Sequence, residues 1–320
     1  PTRSRLEVLP TGKNFYSVDI RDLPTQAAWD LGKRSAQQII DLFLLENGEQ
    51  LTDLAISVWA TATMRNGAED IAQILALMGI QPIWEYSTNR LIDIEIIPLK
   101  IIDRPRVNVI TRISGLFRDS FPQLVELLYS AQIKLANLNE PIELNPYVQR
   151  TKKGKPINRI FGSAPGSYGA GLQELISSSN WETKDDLVES YLNWSKWSYK
   201  GSENPISNKN DLKNALSKIQ VVLHNQDNKE HDILDSDDYY QFHGGMSASV
   251  EKLSKSKPVN LISDHSKYSS PRLRSLEKEI DKVIRSRLLN PKWIEGIKQH
   301  GYKGAFEISA SIDYLFGYDA

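Results

Sequence analysis

The sequence predicts an α/β protein of two lobes, each a largely parallel sheet flanked by helices. Three observations predict it. Strand-length apolar runs recur at 51–61 (LTDLAISVWAT), 106–114 (RVNVITRIS), 218–224 and 259–264. The first two are near-continuous rather than alternating, the pattern of strands covered on both faces. Helical stretches with one apolar face separate the runs, and strand–helix alternation implies parallel pairing.

Each element has a local reason. Residues 1–24 carry three prolines and few periodic apolar positions, so they are expected to be extended or looped. Pro24 or Thr25 opens a helix with Ala28, Leu31, Ile39, Leu42 and Phe43 inward, and Asn47-Gly48 ends it. Asn66-Gly67 leads into a second helix with Ile71, Ile74, Leu75 and Met78 inward, stopped at Gly79. Residues 91–97 alternate as a strand. The stretch 121–138 is strongly amphipathic, with Pro122 at a tolerated first-turn position. Residues 139–160 read as a linker. Two domains are therefore expected: 1–150, an extended segment plus the first lobe, and 151–320, the second lobe.

In the second lobe a glycine-rich segment, 162–171, opens a helix from about Leu172. Trp181, Tyr191, Trp194, Trp197 and Tyr199 suggest a helix with an aromatic face, suited to core packing or to stacking on a flat ring. Residues 200–211 are polar and expected to loop. Helices are expected at about 240–253 and 272–289. Asn290 caps another with Pro291 at its first position, and the last runs from about Lys303, after Gly301.

Composition narrows the function classes. Hydrophobic residues are 40% and charged residues 25% of 320, the ordinary globular range. A net charge of −1 supplies no overall field for nucleic acid or an acidic membrane, and the basic run at 152–155 reads as a solvated loop. No apolar run is long enough to predict a membrane span. Zero cysteines exclude disulfides, thiolate metal sites and a Cys nucleophile, and fit a reducing cytoplasm.

The chemistry concentrates in residues 224–246, HNQDNKEHDILDSDDYYQFHGGM. Three of the five histidines, His224, His231 and His243, share it with Asp227, Glu230, Asp232, Asp235, Asp237 and Asp238. Imidazole and carboxylate ligate divalent metals and move protons near neutral pH. His224 ends one predicted strand and Asp264-His265 ends the next. Ligands of open α/β sheets bind beyond the carboxyl ends of the strands. If the two strands are neighbours, a crevice lined by His224, Asp227, Glu230, His231, Asp235, Asp237, Asp238 and His265 follows. Capping competes with ligation for Asp235, Asp237 and Asp238, and packing competes for His243. The loop 162–171, with Gly166, Ser167 and Tyr168 at its centre, offers either a plain turn or an anion cradle. It is not a Walker A loop, since no Gly-Lys-Ser/Thr follows. Arg118 is placed either to meet substrate carboxylates or to pair with Asp119.

Four strings are specific: Leu9-Pro-Thr-Gly-Lys-Asn-Phe-Tyr-Ser17, Arg159-Ile-Phe-Gly-Ser-Ala-Pro-Gly-Ser-Tyr-Gly-Ala-Gly-Leu-Gln-Glu-Leu175, the stretch 224–245, and Asn290-Pro-Lys-Trp-Ile-Glu-Gly-Ile-Lys-Gln-His-Gly-Tyr-Lys-Gly304. Together they resemble the CobN / magnesium-chelatase H-subunit family, large tetrapyrrole-binding subunits of ATP-dependent metal chelatases. The stretch 225–242 is closer to the cobaltochelatase branch. That resemblance implies insertion of Co²⁺, as substrate metal, into hydrogenobyrinic acid a,c-diamide in aerobic cobalamin biosynthesis. ATP and Mg²⁺ would be used by separate AAA+ partner subunits and not bound by this chain. His224, Asp227, Glu230 and His231 would act as transient ligands or bases. His231, Glu230, Asp235 and His265 would meet the metal, and Arg118, Gly166, Ser167 and Tyr168 the substrate's acidic groups. A magnesium-chelatase-type large subunit (Mg²⁺ into protoporphyrin IX) and a non-catalytic ring-binding or AAA+-docking module are the alternatives. A His/Glu motif of the family, upstream of anything here, and a C-terminal tail are missing. The chain is therefore expected to be a C-terminal region, to hold half of a site and to be inactive alone.

Overall fold

The computed structural model describes residues 19–151, 154, 156–201 and 203–320. The expectations for residues 1–18 and for the lysines of the 152–155 run lie outside them. Thr25 does cap the first helix, Gln26–Asn47, accepting from the Ala28 N–H at 3.1 Å, and Gly48 ends it in the left-handed region. Asp53–Val58 (β1), Ile80–Trp84 (β2), Leu91–Ile96 (β3), Asn108–Ile113 (β4), Ile160–Gly162 (β5), Trp197–Ser198 (β6), Ile206–Ser207 (β7), Val221–Gln226 (β8), Val259–Asp264 (β9) and Arg272–Ser275 (β10) are the strands.

Eight of them form one sheet in the order β10-β9-β8-β1-β4-β5-β6-β7, while β2 and β3 make a separate antiparallel hairpin. The central five, β9-β8-β1-β4-β5, are all parallel, and the edges are antiparallel. The α/β class with a largely parallel sheet between helices is as expected. The strands before and after the 139–160 segment do not form separate sheets, because β8 pairs directly with β1. The chain leaves β1 toward β4 and β5, then returns to β8 on the other side of β1. That reversal places a topological switch at the carboxyl ends of β1 and β8, where open α/β sheets leave a crevice.

Side chains alternate across the sheet. On one face Leu54, Ile56, Val58, Val109, Ile113, Leu223 and Leu261 pack under the helices Gln26–Asn47, Glu69–Met78 and Pro122–Ala136. On the other, Ala55, Ile110, Phe161 and Val222 meet the helices Lys184–Ser195 and Gly245–Ser254. Leu54, Ile56 and Leu223 are wholly buried, each contributing about 1.5–3 kcal/mol by leaving water.

Several elements differ from expectation. Ala60–Asn66 is a helix where the first strand was expected to continue to Thr61. Lys209–Leu216 is a helix, capped by Asn208, where a loop was expected to 211. Arg272–Ser275 pairs with β9 before the helix Leu276–Ser286 begins at the Ser275 cap. In each case pairing or capping overrides the local periodicity. The helix Glu69–Met78 has all ten residues buried, acids included. Asn66 starts it by accepting from the Ala68 and Glu69 N–H groups at 3.0 and 3.1 Å.

Candidate functional site at the carboxyl rim of the sheet

Strands β8 and β9 are neighbours, with His224 beside Ile262 and Gln226 beside Asp264. Alternation then separates the histidines. Asn225, Ser263 and His265 project to the face of the Glu69–Met78 helix, and His224 projects to the opposite face.

The Asn225 face is a densely bonded polar network in which Asn225 Oδ1 is left unpaired. Glu69 Oε2 lies 3.0 Å from His265 Nδ1, and His265 Nε2 meets Ser35 Oγ at 2.9 Å and Ser263 Oγ at 3.0 Å. Gln73 donates to Ser35 Oγ at 2.6 Å, and Asn225 Nδ2 donates to Gln73 Oε1 and Asp70 Oδ1 at 2.7 Å each. Burial pushes the Asp70 carboxyl up to about 7, against the Asn225 hydrogen bond that favours its charge.

The His224 face is unsatisfied. No hydrogen bond of good geometry reaches either ring nitrogen of His224 among the described residues, although the Gln226 side chain lies near enough to favour the charged ring, and His243 Nδ1, Trp59 Nε1, Ser57 Oγ and Tyr318 Oη are likewise unbonded. The neighbouring Gln226 amide donates instead to the carbonyls of Asn228 and His231. His243 rides on a π-helical turn, Tyr240–Gly244, and its Nε2 donates a long bond, 3.4 Å, to the Val222 carbonyl. The His224 ring lies 5.1 Å from Tyr239 and 6.2 Å from His243, and Trp59 packs on Phe242 at 4.4 Å. Burial pushes His224 down to about 3, helped by His243, and burial pushes His243 down to about 4. Burial thus favours the neutral form of both rings. Such buried orphans are uncommon, and each calls for a physical explanation.

The acidic loop hangs outside this pair. Asp227 takes a bidentate ion pair from Arg65, both contacts 2.8 Å. Asn228 Oδ1 accepts the Glu230 and His231 N–H groups at 2.9 Å, and both of those residues are exposed. Arg287 donates to Asp232 at 2.9 Å and to Asp235 at 2.5 Å, and also to Ser311, tying the loop to the last helix, Tyr302–Asp319. Asp237 accepts from Gln241, whose Oε1 accepts from the Leu172 and Gln173 N–H groups. Burial, then Asp237, raises Asp238 to about 6.

Among the described residues no three His, Asp or Glu side chains converge in metal-binding geometry. The expected set of His231, Glu230, Asp235 and His265 is thus not gathered. Asp235 is engaged by Arg287, and His265 is enclosed on the far face of the sheet. Asp227, Glu230, His231 and His224 do share the rim.

Arg118 is also engaged. It pairs with Asp119 at 2.7 and 2.8 Å and donates to the carbonyls of Ala164, Ser163 and Ser167 at 2.7, 3.4 and 3.3 Å. It pins the glycine-rich loop to the end of β4. Tyr168 closes the clamp, its hydroxyl 2.8 Å from Asp119. Gly115 permits this approach, since a Cβ there would lie 2.6 Å from the Tyr168 ring and 2.7 Å from the Ser167 carbonyl. Gly166 and Tyr168 remain exposed at the loop's crest. Tyr191 and Tyr199 of the aromatic cluster are core, and Trp194 is half exposed.

The protein is thus an α/β protein with a largely parallel sheet, imidazoles and acids at its switch point and a pinned glycine-rich loop beyond β5 on the same rim. The chain belongs to the CobN/Magnesium Chelatase family, which it matches over residues 1–320. It is 47% identical over 336 aligned positions to the aerobic cobaltochelatase subunit CobN of Pseudomonas aeruginosa, covering 100% of this chain and 27% of that protein. The magnesium-chelatase H-subunit of Chlorobaculum parvum is 30% identical, covering 99% and 26%. The catalytic subunit of cobaltochelatase from Mycobacterium tuberculosis superposes with a TM-score of 0.93 at 41% identity, over 98% of this chain and 27% of that one. The chain thus spans about a quarter of the length of these relatives.

Periodicity and motif spacing gave no sign of Arg65, Arg287, Trp59, Tyr239, Glu69 and Asp70 at the rim. Arg65 and Glu69 flank Asn66-Gly67, a pair that by itself signals only a helix start.

Proposed function

We propose that this chain is the rim-bearing part of the large subunit of a cobaltochelatase. That enzyme would insert Co²⁺ into hydrogenobyrinic acid a,c-diamide, with ATP hydrolysed by separate AAA+ subunits. The observation that carries the reading is end-to-end identity of 47% to a cobaltochelatase subunit, against 30% to a magnesium-chelatase subunit. Metal insertion requires a ring held in place, the ring N–H proton accepted and a cation stripped of water. In a corrin one N–H bond breaks, its proton leaves to a base, and four N–Co bonds form as Co²⁺ gives up its water ligands. Asp227, Glu230 and His231 supply anionic and imidazole acceptors at the mouth, and Arg65 fixes the orientation of Asp227. Burial holds Asp238 near the neutral range, which suits it to take and release a proton. Arg118 acts on the substrate through the loop it holds, since its donors already serve Asp119 and three carbonyls. Gly166, Ser167 and Tyr168 would then face the substrate's acidic groups.

The test is reconstitution of the full-length subunit with its ATPase partners, followed by the absorbance change of the tetrapyrrole. Co²⁺ insertion into the corrinoid precursor, lost about 100-fold in Asp227→Asn and reduced in His231→Ala and Glu230→Ala, is the expected result. Mg²⁺ insertion into protoporphyrin without Co²⁺ activity would overturn it.

A second reading has its own observation. Asp227, Asp232 and Asp235 are all taken by arginines, which favours a region that clamps the ring or docks the ATPase rather than one that binds metal. Calorimetry separates the two: ring binding without Co²⁺ binding supports the docking role.

A further inference from the structure

We propose that His224 and His243 form a two-imidazole holding site for a divalent transition ion, behind the acidic rim and beneath Trp59 and Tyr239. The ion's onward fate as the metal substrate rests on the chelatase reading, but its binding does not.

Three independent features converge here. First, the unpartnered atoms cluster. His224 Nδ1 and Nε2, His243 Nδ1, Trp59 Nε1, Ser57 Oγ and Tyr318 Oη are all buried on the same face of the sheet. A core that only packs seldom leaves three ring nitrogens unpaired, because each unmade buried bond is destabilising. Second, the tautomer is set. His243 Nε2 donates to the Val222 carbonyl, so Nδ1 presents a bare lone pair. Metal-ligating histidines are oriented in the same way, by a bond from the other ring nitrogen to a carbonyl or carboxylate. Third, the separation sets the angle. Imidazole nitrogen binds divalent ions at about 2.0–2.1 Å, and the ring centre lies about 1.1 Å behind it, so two rings sharing an ion stand about 6.4 Å apart when the bonds are collinear and about 5.2 Å apart at a tetrahedral angle. The His224 and His243 centroids are 6.2 Å apart with planes 63° apart, so a shared ion would be held with the two rings nearly opposite one another. The π-helical turn that carries His243 against β8 is a device frequent at functional sites.

The donor set selects the ion. Neutral imidazole suits cobalt, nickel, copper and zinc, whereas magnesium and calcium prefer oxygen. Two nitrogens with water or the Tyr318 hydroxyl make a loose site, as a station from which an ion must leave requires. Among the described residues no carboxylate completes a tight set with these rings.

The test titrates the whole 320-residue chain with Co²⁺, Zn²⁺ or Mg²⁺ alone, read by calorimetry, by the Co²⁺ d–d spectrum and by histidine ring NMR shifts. One Co²⁺ or Zn²⁺ per chain is expected, with no response to Mg²⁺. His224→Gln and His243→Gln should each weaken Co²⁺ binding at least about tenfold, and His300→Ala, a remote exposed position, should not. Unchanged Co²⁺ affinity in both folded Gln variants overturns the proposal. Should either variant unfold, Zn²⁺ shifts in the unsubstituted chain decide: ring signals of His224 and His243 must move, and movement of other histidines alone overturns it. Intact Co²⁺ binding here with no cobalt insertion by the reconstituted subunit would break the chelatase reading and leave this site standing.

Discussion

The two faces of one rim make opposite use of histidine. Under the Glu69–Met78 helix, His265 has an acceptor on one nitrogen and two hydroxyls on the other, and of the polar groups bonded around it Asn225 Oδ1 is left unpaired. Across the sheet, His224 is as deeply buried and no hydrogen bond of good geometry reaches its ring nitrogens among the described residues. Burial alone therefore does not distinguish a structural imidazole from a functional one. Completeness of hydrogen bonding does. The closed side is rigid and should be costly to break. The open side carries a stability debt that a ligand would settle.

The largest effect should come from breaking the closed side. Glu69→Ala strands a wholly buried His265 and should cost about 3–5 kcal/mol in urea unfolding. A loss under about 1 kcal/mol would show that the network contributes little. Next is Asp70→Asn. The folded carboxyl titrates at about 7, above its unfolded value of about 3.9, so the folded state binds more protons between those values. Stability should fall as pH rises through that window. Asp70→Asn should add about 2–4 kcal/mol at pH 8 and almost nothing at pH 4, because the Asn225 bond can still be accepted. Equal effects at both pH values would exclude a protonated Asp70. Arg118→Lys keeps the charge but loses the fork to Asp119 and the carbonyls. About 1–2 kcal/mol and faster proteolysis within 163–171 are expected, and an unchanged cleavage rate would mean the loop holds itself. Smallest is His224→Leu, which should change stability by less than about 1 kcal/mol, or raise it, since an unpaired polar ring is exchanged for an apolar one. A loss comparable to Glu69→Ala would erase the contrast between the faces.

Much of this was legible in the residues. The continuous apolar runs identify β1, β4, β8 and β9, and the cap-and-stop pairs Thr25 with Gly48 and Asn66 with Gly79 frame their helices. The concentration of His and Asp after β8 falls at the carboxyl rim of the sheet. Which strands pair across the sheet was not legible, because periodicity describes a strand and not its neighbour. Nor was the opposite facing of His224 and His265, which depends on the register of β8 against β9. Arg65 and Arg287 lie 162 and 52 residues from the acids they hold, so no local pattern announces them. Short strands such as β6 and β7, two residues each, fall below any periodic signal.

The central position of β1 has a consequence during synthesis. Its edge toward β4 is matched about 50 residues later, but its edge toward β8 waits until roughly 160 residues after β1, about 10–30 s at ordinary elongation rates. Through that interval the ribosome-bound chain displays an apolar ribbon with unclaimed amide and carbonyl groups, a template for unwanted self-pairing. A holding chaperone that recognises extended apolar segments should therefore engage nascent chains halted near residue 200 and release those halted well past residue 226.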